Sequence, residues 1–269
     1  MNSNFITYKD SRIHYRYSGV GTRIVLCFHG FGTFARTFDW LAEHVPNHVF
    51  IAFDLPFHGE TKWENGELFL PADILNIINL CPHANQDKFA LMGYSMGGRI
   101  SLQLVEIIPE RITNLVLLAP DGLHINPWYW FSTQTRMGNR FFKKVMQDPS
   151  GFITLLKRGE NLKLLNKGVL KFIDRYMGDP HIRKQVYRVW TSFRKFKPNN
   201  NRVIRNINRH QIPVSLIYGK YDTIIPLSPG ESFFHRLKSR KKIEVLETGH
   251  QILHIRNAAV IAEAFNHTS

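Results

Sequence analysis

The sequence predicts an α/β fold with a mostly parallel central sheet flanked by helices and a helical insertion. Three observations predict it. Short apolar runs such as Phe89–Met92 and Asn114–Leu118 have the make-up of strands buried on both faces, as in a parallel sheet. Segments with helical spacing alternate with those runs. The charge is also divided: of the net +14 carried by 269 residues, residues 121–210 hold 19 Lys+Arg against 5 Asp+Glu, while the rest balances at 16 against 16. This predicts a core of residues 1–120 and 211–269, and a basic helical cap of residues 121–210. With 43% hydrophobic residues the chain buries a large core.

The elements follow in order. Phe5–Tyr8 and Arg12–Tyr17 read as a hairpin about the polar turn Lys9-Asp10-Ser11. Arg23–Phe28 and Val49–Phe53 are the next strands. Pro71–Leu80 is a helix, with Ile74, Ile77 and Ile78 on one face. Phe89–Met92 and Asn114–Leu118 are strands, with a helix opening after Ser95. The basic insert reads as several helices, broken at Gly138, Gly159, Gly178-Asp179-Pro180 and Pro198. Val214–Tyr218 and Ile243–Leu246 resume the strand pattern. Pro229–Leu237 and Ala258–Phe265 are helices.

Composition excludes several classes. High aromatic content and evenly spread apolar segments argue against disorder. No run of 18 apolar residues is present, so no spanning helix is expected. The opening Met-Asn-Ser-Asn-Phe-Ile-Thr-Tyr-Lys-Asp lacks a signal-peptide pattern. Cys27 and Cys81 make no disulfide framework. The expected location is cytoplasmic, with peripheral membrane attachment left open by the basic segment.

Chemistry concentrates at Gly93-Tyr-Ser95-Met-Gly97. Glycines two before and two after the serine leave room for a sharp strand-to-helix turn that exposes its hydroxyl. The helix N-terminus beside it favours a developing negative charge. A serine needs a base, and two partners stand after later strands: Asp222 in Gly219-Lys-Tyr-Asp222-Thr-Ile-Ile-Pro226, and His250 in Thr248-Gly249-His250. Parallel strands present their C-terminal ends along one edge, where Ser95, Asp222 and His250 can meet. His250 is then the general base and Asp222 its orienting carboxylate.

The order Ser…Asp…His resembles that of the α/β-hydrolase fold family. His29-Gly30-Phe31-Gly32 looks like its oxyanion loop after the third strand, and Asp54-Leu-Pro-Phe-His58-Gly59 like the turn after its fourth, with Phe57 where glycine is frequent. The resemblance covers residues 12–120 and 211–266. It implies an oxyanion hole from the backbone N–H groups of Phe31 and Met96, no cofactor, and a substrate-setting cap at 121–210. Ser-Met-Gly-Gly-Arg is also similar to the nucleophile turn of the menaquinone-pathway lyases of this family, which act on an anionic substrate.

Among the neighbours, Asp121 also follows a strand end and rivals Asp222, although Gly-x-x-Asp-x-x-x-Pro favours Asp222. Asp54 is expected to close its own turn. His29 and His58 flank the site as scaffold, and His254 is a helix residue. His29, Arg99 and Tyr94 are the candidate substrate contacts, Arg99 through an anionic group. No histidine pair has a carboxylate at ligand spacing, so no metal site is expected.

The expected function is cleavage of a carboxylic ester or thioester through an acyl-enzyme on Ser95. The alternatives are a lyase using the same three residues on an anionic substrate, and a carrier-protein-linked acyl methyl esterase, since the family's esterases of biotin synthesis also use basic caps. The basic cap is expected to attract an anionic membrane surface or an acidic acyl-carrier protein. No nucleic-acid-reading motif is present.

Overall fold

The computed structural model describes residues 2–84, 86–154 and 176–266. The chain forms two compact units, Met1–His124 with Phe196–Ser269, and Ile125–Lys195.

The first unit is built on an eight-stranded sheet. Its strands are β1 (Asn2–Tyr8), β2 (Ser11–Ser18), β3 (Gly21–Phe28), β4 (Asn47–Phe53), β5 (Phe89–Tyr94), β6 (Ile112–Leu118), β7 (Val214–Gly219) and β8 (Lys241–Leu246). The spatial order is β1-β2-β4-β3-β5-β6-β7-β8. β2 runs antiparallel to β1 and β4, and every other neighbouring pair is parallel. The apolar runs of the sequence become the middle strands. All six residues of β5 and of β7 are buried, as are the last five of β3 and of β6. Each fully buried Leu, Ile or Phe there contributes about 1.5–3 kcal/mol of hydrophobic stabilisation.

The helices of this unit are α1 (Leu41–His44), α2 (Pro71–Leu80) and α3 (Met96–Ile107). Pro71 opens α2 with the φ a first turn needs. The Asp73 carboxylate accepts the Leu70 N–H at 2.8 Å, and Ile74, Ile77 and Ile78 face inward. α3 follows β5 without a loop.

The second unit contains α4 (Pro127–Gln134), α5 (Arg136–Gln147) and α6 (Pro180–Ser192). Each start is capped by a polar side chain. Asn126 accepts from Trp128 N at 2.8 Å, Thr135 from Gly138 N at 2.9 Å and Asp179 from His181 N at 2.7 Å. Phe142 is buried, with its ring centroid 5.3 Å from that of Trp190 and 5.7 Å from that of Tyr187.

The remaining helices, α7 (Asn200–His210), α8 (Ser228–His235) and α9 (Ala258–Asn266), belong to the first unit. The division at residues 124/125 and 195/196 is tighter than the 121–210 span set by charge. α7 explains the difference. Its Val203, Ile204 and Ile207 are buried, and the Asn206 amide donates to the carbonyls of Val105 and Glu106 in α3, each at 3.1 Å. Arg202, Arg205 and Arg209 lie outside that buried stripe. Cationic residues on a solvated face thus extend the charge bias into a core helix.

Gly138 does not break a helix. It lies in the first turn of α5, where a side chain would meet Phe131 O and Thr135 Oγ1. The break falls at Thr135 instead. Pro180 opens α6 and Pro198 precedes α7, as their spacing predicts, and Gly159 lies outside the described residues. Among the described residues no helix is long and apolar enough to cross a membrane.

Candidate active site

Ser95 stands between β5 and α3 with φ 50° and ψ −114°, a left-handed conformation that costs a non-glycine residue of order 1–3 kcal/mol. Its own backbone holds it there. Ser95 N donates to Leu118 O at 2.9 Å, while its carbonyl accepts from Gly98 N and Asp121 N, each at 2.9 Å. The flanking glycines are needed for close approach. A methyl at Gly93 would sit 2.6 Å from both Gly97 O and Ser101 Oγ, and one at Gly97 would overlap the Phe28 carbonyl.

Three side chains distant in sequence meet at this turn. Ser95 Oγ lies 3.0 Å from His250 Nε2, and His250 Nδ1 lies 2.7 Å from Asp222 Oδ2. With the proton on Nδ1, Nε2 accepts from the serine hydroxyl. Asp222 follows β7 and His250 follows β8, so the shared edge of the parallel strands brings them together. The two loops are tied by Tyr221 N donating to Thr248 O at 3.0 Å. Gly219 permits this, because a side chain there would strike the Thr248 and Gly249 carbonyls.

The Asp222 side chain is 1% exposed. Burial pushes its carboxyl upward, but the hydrogen bond and charge of His250 and the N–H groups of Ile225 and Ile224 outweigh it. The net effect holds Asp222 below the ordinary carboxylate value. Those two N–H groups donate to Oδ1 at 3.0 and 2.8 Å, leaving Oδ2 for the imidazole.

The loop His29–Gly32 runs beside the serine. A methyl added at Gly30 would lie 3.1 Å from both Ser95 Cβ and the Tyr94 ring. His29 is fully buried, and both its ring nitrogens have protein partners. Nδ1 donates to Gly30 O at 2.8 Å, and Nε2 accepts from Leu55 N at 3.0 Å, so both nitrogens serve the scaffold. Burial lowers its pKa to about 4. His58 is likewise buried, donates to Pro56 O at 3.0 Å, and is lowered to about 3 by burial and by the neighbouring His29.

Two other expected substrate contacts have structural partners. The Arg99 guanidinium is buried and pairs with Asp121, and the carboxylate that lies beside His250 is that of Asp222. Tyr94 is buried too, and its hydroxyl donates to the His250 carbonyl at 3.0 Å. That support for the histidine loop has no local sequence signal, since 156 residues separate the partners.

Asp54 closes its turn as expected. Its carboxylate accepts from Ala35 N at 2.6 Å, Glu60 N at 2.8 Å and His14 Nδ1 at 2.7 Å. Sequence reasoning missed that His14 Nε2 also lies 2.8 Å from Ser3 Oγ, giving a second chain of serine, histidine and aspartate. Ser3 lies within β1, paired along its length with β2, rather than at a helix N-terminus. Among the described residues, no group of three or more His, Cys, Asp or Glu side chains is placed to hold a metal ion.

A family model for the alpha/beta hydrolase fold matches residues 23–256. The uncharacterized hydrolase YugF of Bacillus subtilis is 24% identical over 242 residues, covering 88% of this chain and 86% of its own. The pimeloyl-[acyl-carrier protein] methyl ester esterase of Vibrio campbellii is 21% identical over 258 residues, covering 90% and 92%. The solved structure of a thermophilic esterase from Thermogutta terrifontis superposes with a TM-score of 0.68 at 18% identity, covering 100% of this chain and 99% of that one. The elbow at Ser95, the strand order and the family match over residues 23–256 together show that the chain belongs to the alpha/beta hydrolase fold family.

Proposed function

We propose that this protein is a serine hydrolase that cleaves a carboxylic ester or thioester through an acyl-enzyme on Ser95. The observation that carries the reading is the continuous chain from Ser95 Oγ through His250 to Asp222, at 3.0 and 2.7 Å. His250 Nε2 takes the hydroxyl proton as Oγ attacks the acyl carbon. The oxyanion is held by the N–H groups of Phe31 and of Met96, the first residue of α3, each worth about 3 kcal/mol in the transition state. The bond to the leaving oxygen or sulfur breaks, and Nε2 returns the proton to that atom. Water then attacks the acyl carbon, giving its proton to Nε2. The carboxylic acid leaves and the proton returns to Ser95.

The similarity to a carrier-protein methyl ester esterase supports an acyl substrate without naming its chain. A lyase reading would use the same residues on an anionic substrate. That reading leaned on Arg99 as an anion contact, and Arg99 is paired with Asp121 here. Para-nitrophenyl esters of graded chain length test the proposal. A burst of nitrophenol, with one acyl group found on Ser95 by mass spectrometry, supports it. Turnover with no acyl adduct at any chain length, even after rapid acid quench, contradicts it.

A further inference from the structure

We propose that the exposed face of α5, with the aromatic cluster beside it, docks the protein on an anionic lipid bilayer. The helix reads Arg-Met-Gly-Asn-Arg-Phe-Phe-Lys-Lys-Val-Met-Gln and holds no carboxylate. Its buried side is Gly138, Phe142, Val145 and Met146. The opposite side is cationic. Arg140 stands at its centre, Arg136 and Lys144 lie one turn to either side, and Lys143 is exposed next to Lys144. The next carboxylate in the chain, Asp148, lies past the helix end and accepts from both the N–H and the hydroxyl of Ser150.

Apolar side chains project along one shoulder of the same face. Met137 is 72% exposed and Phe141, one turn on, is 41% exposed. The Phe141 ring lies 6.2 Å from that of Trp128 and 5.9 Å from that of Phe152, and Trp130 of α4 is 48% exposed. The whole unit 125–195 carries 15 Lys+Arg against 4 Asp+Glu.

Cations and large apolar side chains on one helix face match a bilayer interface, where ammonium and guanidinium groups meet lipid phosphates and Met or Phe enters the acyl boundary. An acidic protein would answer the cations, but a row of cations flanked on one helix by exposed Met137 and Phe141 is the pattern of a helix lying in a lipid interface. Each cation near an anionic surface contributes about fivefold in partitioning. This inference does not depend on the chemistry of Ser95, because vesicle binding is read without turnover.

Flotation with vesicles of phosphatidylcholine alone, or with added phosphatidylglycerol, tests it. The wild-type chain should bind only the phosphatidylglycerol vesicles and release between about 50 mM and about 500 mM salt. Combined Arg136→Gln, Arg140→Gln and Lys144→Gln should weaken binding about 100-fold. Met137→Gln, at a side chain that packs little, should weaken it several-fold while salt sensitivity persists. Neutralising Arg202, Arg205 and Arg209 on α7 of the other unit should change it less than threefold. Equal binding to both vesicle types, or equal losses from the α5 and α7 variants, overturns the proposal. So does binding to an acidic carrier protein with none to vesicles.

Discussion

The hydroxyl of Tyr94 donates to the backbone carbonyl of His250 at 3.0 Å, so the residue before the serine holds the loop that carries the serine's partner. Their rings are also in contact, with centroids 5.4 Å apart. Tyr94 is thus a positioning residue, coupling the β5–α3 elbow to the loop after β8.

Tyr94→Phe keeps the ring and deletes that one bond. A part-buried hydrogen bond contributes about 0.5–1.5 kcal/mol. We expect kcat on a para-nitrophenyl ester to fall roughly two- to tenfold, with KM little changed, because the base rather than the substrate is loosened. An unchanged kcat accompanied by a raised KM would place the hydroxyl against substrate instead.

Asp222 and Asp121 both follow strand ends, and their partners separate their roles. Asp222 orients His250, whereas Asp121 neutralises Arg99. Asp222→Asn should lower turnover by roughly 10⁴-fold, by analogy with loss of the orienting carboxylate in a triad. Asp121→Asn should lower the denaturation midpoint but change turnover less than tenfold. The reverse ranking would move the orienting carboxylate to Asp121.

His29 and His58 are buried and neutral, with pKa values lowered from 6.5 to about 4 and about 3. The unfolded chain binds protons at these residues below about 6.5, while the folded chain does not. Folding stability is therefore complete above that value and falls as the pH drops through the window toward 4. Urea midpoints measured across this range should decline with acid, and His58→Gln should flatten the decline. A midpoint independent of pH from about 6.5 to about 4.5 would mean that these imidazoles are not buried neutral, because each one kept unprotonated by folding costs about 1.4 kcal/mol for every pH step of one below its unfolded pKa.

The sequence made the sheet and the three meeting side chains legible because each has a local signature. Fully buried strands precede Ser95 and Asp222, while His250 follows the half-buried Ile243-Glu-Val-Leu246, and each of the three has glycine nearby. Pro71–Leu80 shows its helical face directly. Edge strands are harder to bound. β1 begins at Asn2 and β8 at Lys241, where polar and cationic residues stand at the margins of the sheet and break the apolar pattern. Roles set by distant partners are not legible. Arg99 reads as available for an anion until folding supplies Asp121, and His29 reads as a contact until Leu55 and Gly30 take both its nitrogens. The basic segment runs past the second compact unit for another reason, since net charge does not distinguish that unit from the solvated face of α7.

The most direct measurement is covalent labelling by a fluorophosphonate, followed by peptide mapping. The wild-type chain should take one phosphonyl group, on Ser95, and Ser95→Ala should take none while losing about four to six orders of magnitude in ester turnover. This should hold although Ser3 keeps its own histidine at 2.8 Å, because Ser3 lacks the helix N-terminus and elbow that surround Ser95. Labelling of Ser95→Ala at the wild-type rate, or a loss of turnover under tenfold, would contradict the account.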